Sequence, residues 1–164
     1  MSPPPRLTDL PLPPYTFVPG KRPHPHSDPA GHRLHPPPAT LPTADTWRKC
    51  QAYLYGIDLF NHGCYWEAHE AWEAVWSAVG RHGQVADFLK ALIQLAVAGV
   101  KHFEGIPQGV TKHARRAGEL CRDVAAGADV FFGLRLDALI ALAEAVQQRG
   151  WPGESPMLAL DEPG

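Results

Sequence analysis

Prolines are distributed very unevenly along this chain of 164 residues. Fourteen of its 18 prolines lie between residues 3 and 42. Proline lacks a backbone N–H and clashes inside a helix, so this stretch can form neither a helix nor a central strand. The sequence therefore predicts a Pro/His-rich extended arm over residues 1–43, a helical domain over residues 44–150 and a short C-terminal tail over residues 151–164.

Two features of the arm indicate more than a plain linker. The apolar segment at residues 15–20 favours partial docking on the helical domain, although the composition of the arm is typical of disorder. Four histidines follow within twelve positions, namely His24, His26, His32 and His35. Their spacing matches no standard zinc motif, so a solvated tail and a source of metal ligands (His24 and His32) both remain open.

From Ala44 onward, apolar residues recur with the period of an α-helix, and no alternation typical of strands is found. We predict five helices. The first runs from Asp45 as N-cap to about Phe60, the second from about Tyr65 to Gly80, and the third from about Gln84 to Phe103. The fourth runs from Pro107 to Gly127, and the fifth from Asp137 as N-cap to Gly150. The expected fold is an all-α, single-domain bundle of about five helices, preceded by the extended arm.

The composition limits which binding partners and which cellular compartment fit this sequence. The formal net charge is −2, which leaves no electrostatic footprint for nucleic acid or for an anionic membrane. The most apolar segment, residues 85–100, is too short to span a membrane, and the N-terminus lacks the apolar region of a signal peptide. Three widely spaced cysteines argue against a disulfide framework and favour the cytoplasm. We expect a cytoplasmic protein; self-association and the identity of any small-molecule ligand stay open.

The second predicted helix carries the most informative pattern, Tyr65-Trp66-Glu67-Ala68-His69-Glu70-Ala71-Trp72-Glu73-Ala74-Val75-Trp76. At about 100° per residue, His69 and Glu73 fall on its aromatic face, which we expect to be buried. Glu67 and Glu70 fall toward solvent on the same projection. A buried polar pair costs free energy unless it is satisfied, so His69 and Glu73 need a structural or functional explanation.

Several blocks of the sequence match those of a known family. They are Leu59-Phe60-Asn61-x-Gly63, the aromatic helix with its H-x-x-x-E-x-x-W motif at His69, Glu73 and Trp76, Leu92-Ile93-Gln94-Leu95-Ala96, Lys101, Gly105 and Gly109. With these blocks the chain, from about Trp47 to Leu142, resembles the small bacterial and archaeal helical proteins called domain of unknown function 309. The resemblance implies an all-α bundle and a site suspected of metal binding, with no established reaction. The arm pattern V-P-G-x-x-P-H-P-x-x-D-P-x-G-H resembles an N-terminal extension of some members.

Metal binding, with hydrolysis as an extension of it, is the function we favour from the sequence. His69 and Glu73 are four residues apart on a helix, so they can share a divalent ion. Two ligands do not complete a site, and the candidates for further ligands or supporting groups are Glu70, His62, Cys64, Gln94, Lys101, His102, His24 and His32. The pattern H-E-x-x-E differs from the H-E-x-x-H of zinc proteases, which argues against that class.

Two other functions remain open. In one, the protein is a non-catalytic interaction or structural module, and His69 and Glu73 form a buried hydrogen-bonded pair. In the other, it is a small-ligand carrier or sensor with an aromatic pocket lined by Tyr65, Trp66, Trp72 and Trp76. A basic group on the fourth helix, formed by His113, Arg115, Arg116 and Arg122, fits a solvent face, with phosphate contact as the alternative.

Overall fold

A computed structural model describes residues 2–161. A 3-10 turn at Trp47–Lys49 precedes five helices and one hairpin: α1 Gln51–Asn61, α2 Tyr65–Ala78, α3 Gln84–Glu104, α4 Pro107–Ala125, β1 Val130–Phe131, β2 Leu134–Arg135 and α5 Leu136–Arg149. The predicted all-α bundle is confirmed, and the two-strand hairpin is the addition within residues 2–161. No helix in that range combines the length and hydropathy needed to cross a membrane.

Consecutive helices pack against each other, and α3 lies at the centre of the bundle. It contacts α2 on one side and α4 on the other, while α1 packs on α2 and α5 packs on α4. This position follows from the composition of α3, which is apolar around most of its circumference. Gly105, in the left-handed conformation, ends α3 close to the predicted end at Phe103, and Pro107 begins α4 as predicted.

The start of α1 differs from the prediction. Asp45 is not its N-cap, because residues 47–49 form a 3-10 turn and Cys50 occupies the cap position. Trp47 is buried and packs edge-on against Tyr53, with ring centroids 6.0 Å apart. Anchoring of this tryptophan in the core, rather than a capping carboxylate, therefore sets where the chain enters the bundle. Asp137 likewise lies within the first turn of α5 and not at its cap.

The hairpin between α4 and α5 has a two-residue loop at Phe132 and Gly133. Their φ angles are 44° and 79°, and two-residue loops of this kind require positive φ at both positions. Phe132 tolerates this conformation because its side chain is buried and its carbonyl accepts a hydrogen bond of 2.7 Å from the Tyr53 hydroxyl. A Cβ atom at Gly133 would lie 2.5 Å from the Trp47 ring, so this position requires glycine. Strands of two residues show no alternation, which explains why the sequence pattern did not reveal them.

Both flanking segments pack on the bundle. In the arm, the fully buried Asp58 of α1 accepts hydrogen bonds from the backbone N–H of Leu7 at 2.7 Å and from the Thr8 hydroxyl at 2.7 Å. In the tail, the Asn61 side chain makes two hydrogen bonds with the backbone of Leu158, of 2.8 and 2.7 Å. Within the apolar segment at residues 15–20, Val18 is buried and the Phe17 ring lies 5.1 Å from that of Trp66, so the docking that this segment favoured is present in the fold.

Candidate metal-binding site on the second helix

His69, Glu70 and Glu73 come together on α2. Each offers one ligand atom, and these three atoms lie within 4.8 Å of one another. His69 Nε2 is 3.0 Å from Glu73 Oε2 and 3.9 Å from Glu70 Oε1. The spacing of four residues places His69 and Glu73 on the same helix face, and Glu70 reaches the same point from the adjacent flank.

The prediction that His69 and Glu73 are buried is wrong. Their side chains are 18% and 49% exposed, whereas Tyr65 and Trp72 are 1% and 0% exposed. The aromatic face of α2 covers a broad sector of the helix surface. The part of this sector that carries Tyr65 and Trp72 faces the core. His69 and Glu73 lie at the edge of that face, where solvent and a metal ion can reach them.

A backbone contact determines which ring nitrogen of His69 is available. Nδ1 lies 2.9 Å from the carbonyl oxygen of Trp66, and a carbonyl can only accept, so Nδ1 carries a proton. Nε2 is therefore the nitrogen that faces Glu73 and Glu70: it donates a proton when it pairs with Glu73, and its lone pair becomes available to a metal ion when that proton is lost. A backbone carbonyl on the remote ring nitrogen is a usual partner of histidines that bind metal ions.

Glu70 is less exposed than Glu73 and differs from it in electrostatics. Burial raises the pKa of Glu70, the charge of His69 lowers it, and the nearby carboxylate of Glu73 raises it. Two carboxylates that share a site repel each other, and a divalent cation between them would remove this repulsion.

Glu67, which we expected on the solvent side of α2, is instead 6% exposed. The arm covers it: Thr16 Oγ1 donates to Oε1 at 2.6 Å, and the Phe17 N–H and His32 Nε2 donate to Oε2 at 2.9 and 2.8 Å. His32 Nδ1 accepts from the N–H of Leu34 at 3.0 Å, which leaves the proton on Nε2. His32 therefore holds the arm on α2 and does not join the group around His69.

His24 is the candidate from the arm that lies near the site. Its ring centroid is 5.7 Å from that of Trp66. Its Nδ1 accepts hydrogen bonds from the N–H groups of His26 and Ser27 at 3.2 and 3.3 Å. The proton of neutral His24 is therefore on Nε2, so this arrangement makes His24 a hydrogen-bond donor and not a metal ligand.

Two candidates lie at the turn between α1 and α2. His62 follows the last residue of α1, and its Nδ1 donates to the carbonyl oxygen of Asp58 at 2.8 Å. Cys64 is buried as the N-cap of α2, and burial raises the pKa of its thiol to about 12. A thiol that stays protonated at neutral pH is a poor metal ligand.

The three candidate ligands on α3 contact other residues or lie away from the group around His69. Gln94 Oε1 accepts from His113 Nδ1 at 2.6 Å. Lys101 pairs with Glu104 at 3.0 Å, and His102 is exposed near the end of the helix. None of these three is in the group formed by His69, Glu70 and Glu73, as far as residues 2–161 show.

The four aromatic residues do not line a common pocket. Tyr65 and Trp72 are core residues without access to solvent. Trp66 borders a cavity of about 10 Å³ together with Glu70, which is room for about one water molecule. Trp76 is partly buried under the ammonium group of Lys90, which lies 4.6 Å from its ring centroid. The structure therefore gives no support to an aromatic ligand pocket between α2 and α3.

A comparison with family models agrees with the resemblance drawn from the sequence blocks. The model described as “Domain of unknown function (DUF309)” matches residues 53–113, which confirms the resemblance over that segment. The segment runs from α1 into α4 and includes His69, Glu70 and Glu73. No curated protein matches the chain.

Proposed function

We propose that this protein binds a divalent transition-metal ion through His69, Glu70 and Glu73. The observation that supports the proposal is the convergence of three ligand atoms within 4.8 Å on an accessible side of α2. One imidazole nitrogen and two carboxylate oxygens suit ions such as Zn²⁺, Mn²⁺ and Fe²⁺. Neutral His69 and the two carboxylates together would balance the charge of such an ion.

The position of the group on the surface favours chemistry beyond simple binding. Three protein ligands from one helix leave the remaining coordination positions to water, as is typical of catalytic metal sites. A metal ion at such a site lowers the pKa of bound water and polarises a substrate oxygen. We therefore include hydrolysis in the proposal as an extension of metal binding, with the substrate unassigned.

One competing function is favoured by a specific contact. The distance of 3.0 Å between His69 Nε2 and Glu73 Oε2 also fits an ion pair that supports the helix without any metal. An exposed pair at this spacing contributes only about 0.3–0.5 kcal/mol to stability. Measurements of metal content and of stability therefore distinguish metal binding from a purely structural ion pair.

Protein purified without an affinity tag and dialysed against Zn²⁺ or Mn²⁺ should retain a stoichiometric amount of one of these ions. We expect His69→Ala and Glu73→Gln each to lose the bound metal, because two ligands of one helix hold an ion weakly. Helicity should remain unchanged, because both side chains lie outside the core. Elemental analysis and circular dichroism provide the two measurements.

Exposed residues elsewhere supply matched controls for these substitutions. His82→Ala and Glu154→Gln remove the same chemical groups away from the site and should retain the metal. Absence of stoichiometric metal in the wild-type protein, or equal metal content in control and site variants, would contradict the proposal. Absence of metal from the wild-type protein, together with a loss of about 0.3–0.5 kcal/mol in both site variants, would instead favour a structural pair.

A further inference from the structure

A cavity of about 530 Å³ opens between parts of the chain that lie far apart in the sequence. Its lining comes from Ala44 and the 3-10 turn after it, from the first residues of α3, from the hairpin and from Asp161 in the tail. None of its lining residues within 2–161 belongs to α2, so the cavity is separate from the group around His69. Small-molecule sites typically have volumes of about 300–1,000 Å³, and this cavity falls within that range.

The buried part of the cavity wall is aromatic. Trp47 and Phe132 line the cavity and are 5% and 6% exposed. Their rings are stacked, with centroids 6.5 Å apart and planes at 17°, and both rings pack against Tyr53 of α1. Because these contacts belong to the core, this wall has its shape before any ligand binds.

Three apolar side chains that line the cavity remain in contact with solvent. Val85 and Phe131 are half-buried, and Val130 is 37% exposed. The Phe131 ring is held in place, since its centroid lies 4.6 Å from that of Phe88. A ligand that covers these side chains removes apolar surface from water, which is favourable. The cavity therefore suits a ligand with an apolar body.

Arg48 brings a positive charge to the same cavity. Its Cζ atom lies 4.2 Å from the ring centroid of Trp47, within the range of a cation–π interaction. Within residues 2–161, no carboxylate lies within 4 Å of this guanidinium. A guanidinium presents its N–H donors as a planar fork that matches the two oxygens of a carboxylate. Arg48 can therefore bind a carboxylate beside the aromatic wall.

Asp161 limits the charge that a ligand can carry. It is the one acidic residue among the lining residues that the structure describes. Its carboxylate lies 3.9 Å from the Arg135 guanidinium, which pairs more closely with Asp137 at 2.8 Å. The negative charge of Asp161 is therefore only partly compensated, and it disfavours a second anionic group in the cavity.

We propose that this cavity binds a small organic monocarboxylate with an aromatic body. The carboxylate pairs with Arg48, and the body lies against Trp47, Val85 and Phe131. An aromatic body fits better than an aliphatic one, because ring pairs are favourable beyond the area that they bury. A metal ion at His69 is not required for this binding.

The test is a titration of full-length, metal-free protein with phenylacetate, followed by NMR through the backbone N–H resonances of isotope-labelled protein. We expect saturable shifts at millimolar phenylacetate or below, largest at Val85, Phe131 and Gly133, which line the cavity. Phenylacetamide has nearly the same shape without the charge. It should bind about tenfold more weakly, the effect of losing one charge-assisted hydrogen bond.

Two further ligands test the apolar body and the single charge. Acetate has the charge of phenylacetate without the ring, so it should cause no saturable shift over the same range. Phenylmalonate is phenylacetate with one added carboxylate. It should bind more weakly than phenylacetate, because Asp161 repels the second charge.

Substitutions locate the binding. Arg48→Gln should weaken phenylacetate binding by about tenfold and change phenylacetamide binding little, which also shows that the variant is folded. Lys49→Gln is the matched control, because Lys49 is the exposed basic neighbour of Arg48 and does not line the cavity. Ala44→Trp, at an exposed lining position, should fill the cavity and weaken both ligands.

The proposal is overturned if phenylacetate causes no saturable shift, or if phenylacetamide, acetate or phenylmalonate binds as tightly as phenylacetate. Equal effects of Arg48→Gln and Lys49→Gln, or unchanged binding in Ala44→Trp, would also contradict it. Tighter binding of 2-phenylethylamine than of phenylacetate would assign the polar end of the ligand to Asp161 instead of Arg48. Because no metal is present in these titrations, their outcome is independent of metal binding at His69.

Discussion

Two glycines show how individual residues make room for the aromatic face of α2. A Cβ atom at Gly56 of α1 would lie 2.2 Å from Trp72 Nε1, and one at Gly99 of α3 would lie 2.6 Å from the Tyr65 ring. Glycine within a helix costs about 0.5–1 kcal/mol relative to alanine, so these positions lose helix stability to gain close packing. The buried Gly118 of α4 differs, because its Cβ would meet the Ala143 methyl at an ordinary 3.5 Å.

We expect Gly56→Ala to lower the free energy of unfolding by about 1–3 kcal/mol, because the added methyl would displace the fully buried Trp72. The matched substitution Gly118→Ala should raise it by up to about 1 kcal/mol through better helix propensity. Urea denaturation of both variants measures the two changes. Equal stability of Gly56→Ala and the wild type would show that Trp72 does not pack on α1 as described.

At the level of elements, two carboxylates attach the arm to the bundle. Asp58 of α1 and Glu67 of α2 each accept hydrogen bonds from a threonine hydroxyl and from backbone N–H groups of the arm. Hydrogen bonds to a charged acceptor contribute about 1.5–3 kcal/mol each, more than neutral ones. An extended segment without helix or strand can therefore hold a defined position through two anchoring side chains.

We expect Glu67→Gln and Asp58→Asn to loosen the arm. In each variant, an amide NH₂ replaces an oxygen that accepts hydrogen bonds, and it faces donors of the arm. Limited trypsin digestion should then cleave faster after Arg33 and Lys21, which lie in the arm. The rate of appearance of the cleaved product is the measurement.

Glu73→Gln provides the matched control, because Glu73 lies on the same helix and its ion-pair partner is His69 rather than the arm. It should leave the cleavage rate unchanged. If all three variants are cleaved at the wild-type rate, Asp58 and Glu67 do not anchor the arm.

At the level of the whole molecule, burial in the core favours the protonated form of cysteine thiols and of a tyrosine hydroxyl. Cys50, Cys64 and Cys121 are all buried free thiols. Burial raises the pKa of Cys64 and of Cys121 from 9.0 to about 12. The pKa of Tyr53 is likewise raised well above 10.0 by burial. Folding is therefore coupled to proton binding at alkaline pH.

We expect the free energy of unfolding to fall as the pH rises from about 9 toward 12. In this window the unfolded chain has released protons from its thiols that the folded chain still binds, so stability decreases with pH. Urea denaturation at a series of pH values measures the slope.

Cys64→Ala and Cys121→Ala separate this effect from packing. Each variant loses a roughly constant amount of stability at every pH, because a core group is removed. Each should also show a shallower decrease above pH 9, since one titrating group is absent. An unchanged slope in both variants would contradict the coupling.

The helices and the pairing of His69 with Glu73 follow from local sequence patterns. The apolar period and Pro107 predict the ends of α3 and α4, because both act through the backbone of the segment that contains them. The spacing of His69 and Glu73 likewise places them on one helix face whatever the rest of the chain does.

Which helix faces are covered depends on tertiary contacts. Glu67 is buried by arm residues some fifty positions away, and His113 meets Gln94 from a different helix. A helical projection treats each helix alone, whereas burial depends on segments that are distant in the sequence. Asp58, the single charged residue of α1, was the sequence signal available for the arm contact. This signal can be interpreted only when the position of the arm is known, because a carboxylate is stable in the core only beside hydrogen-bond donors that satisfy it.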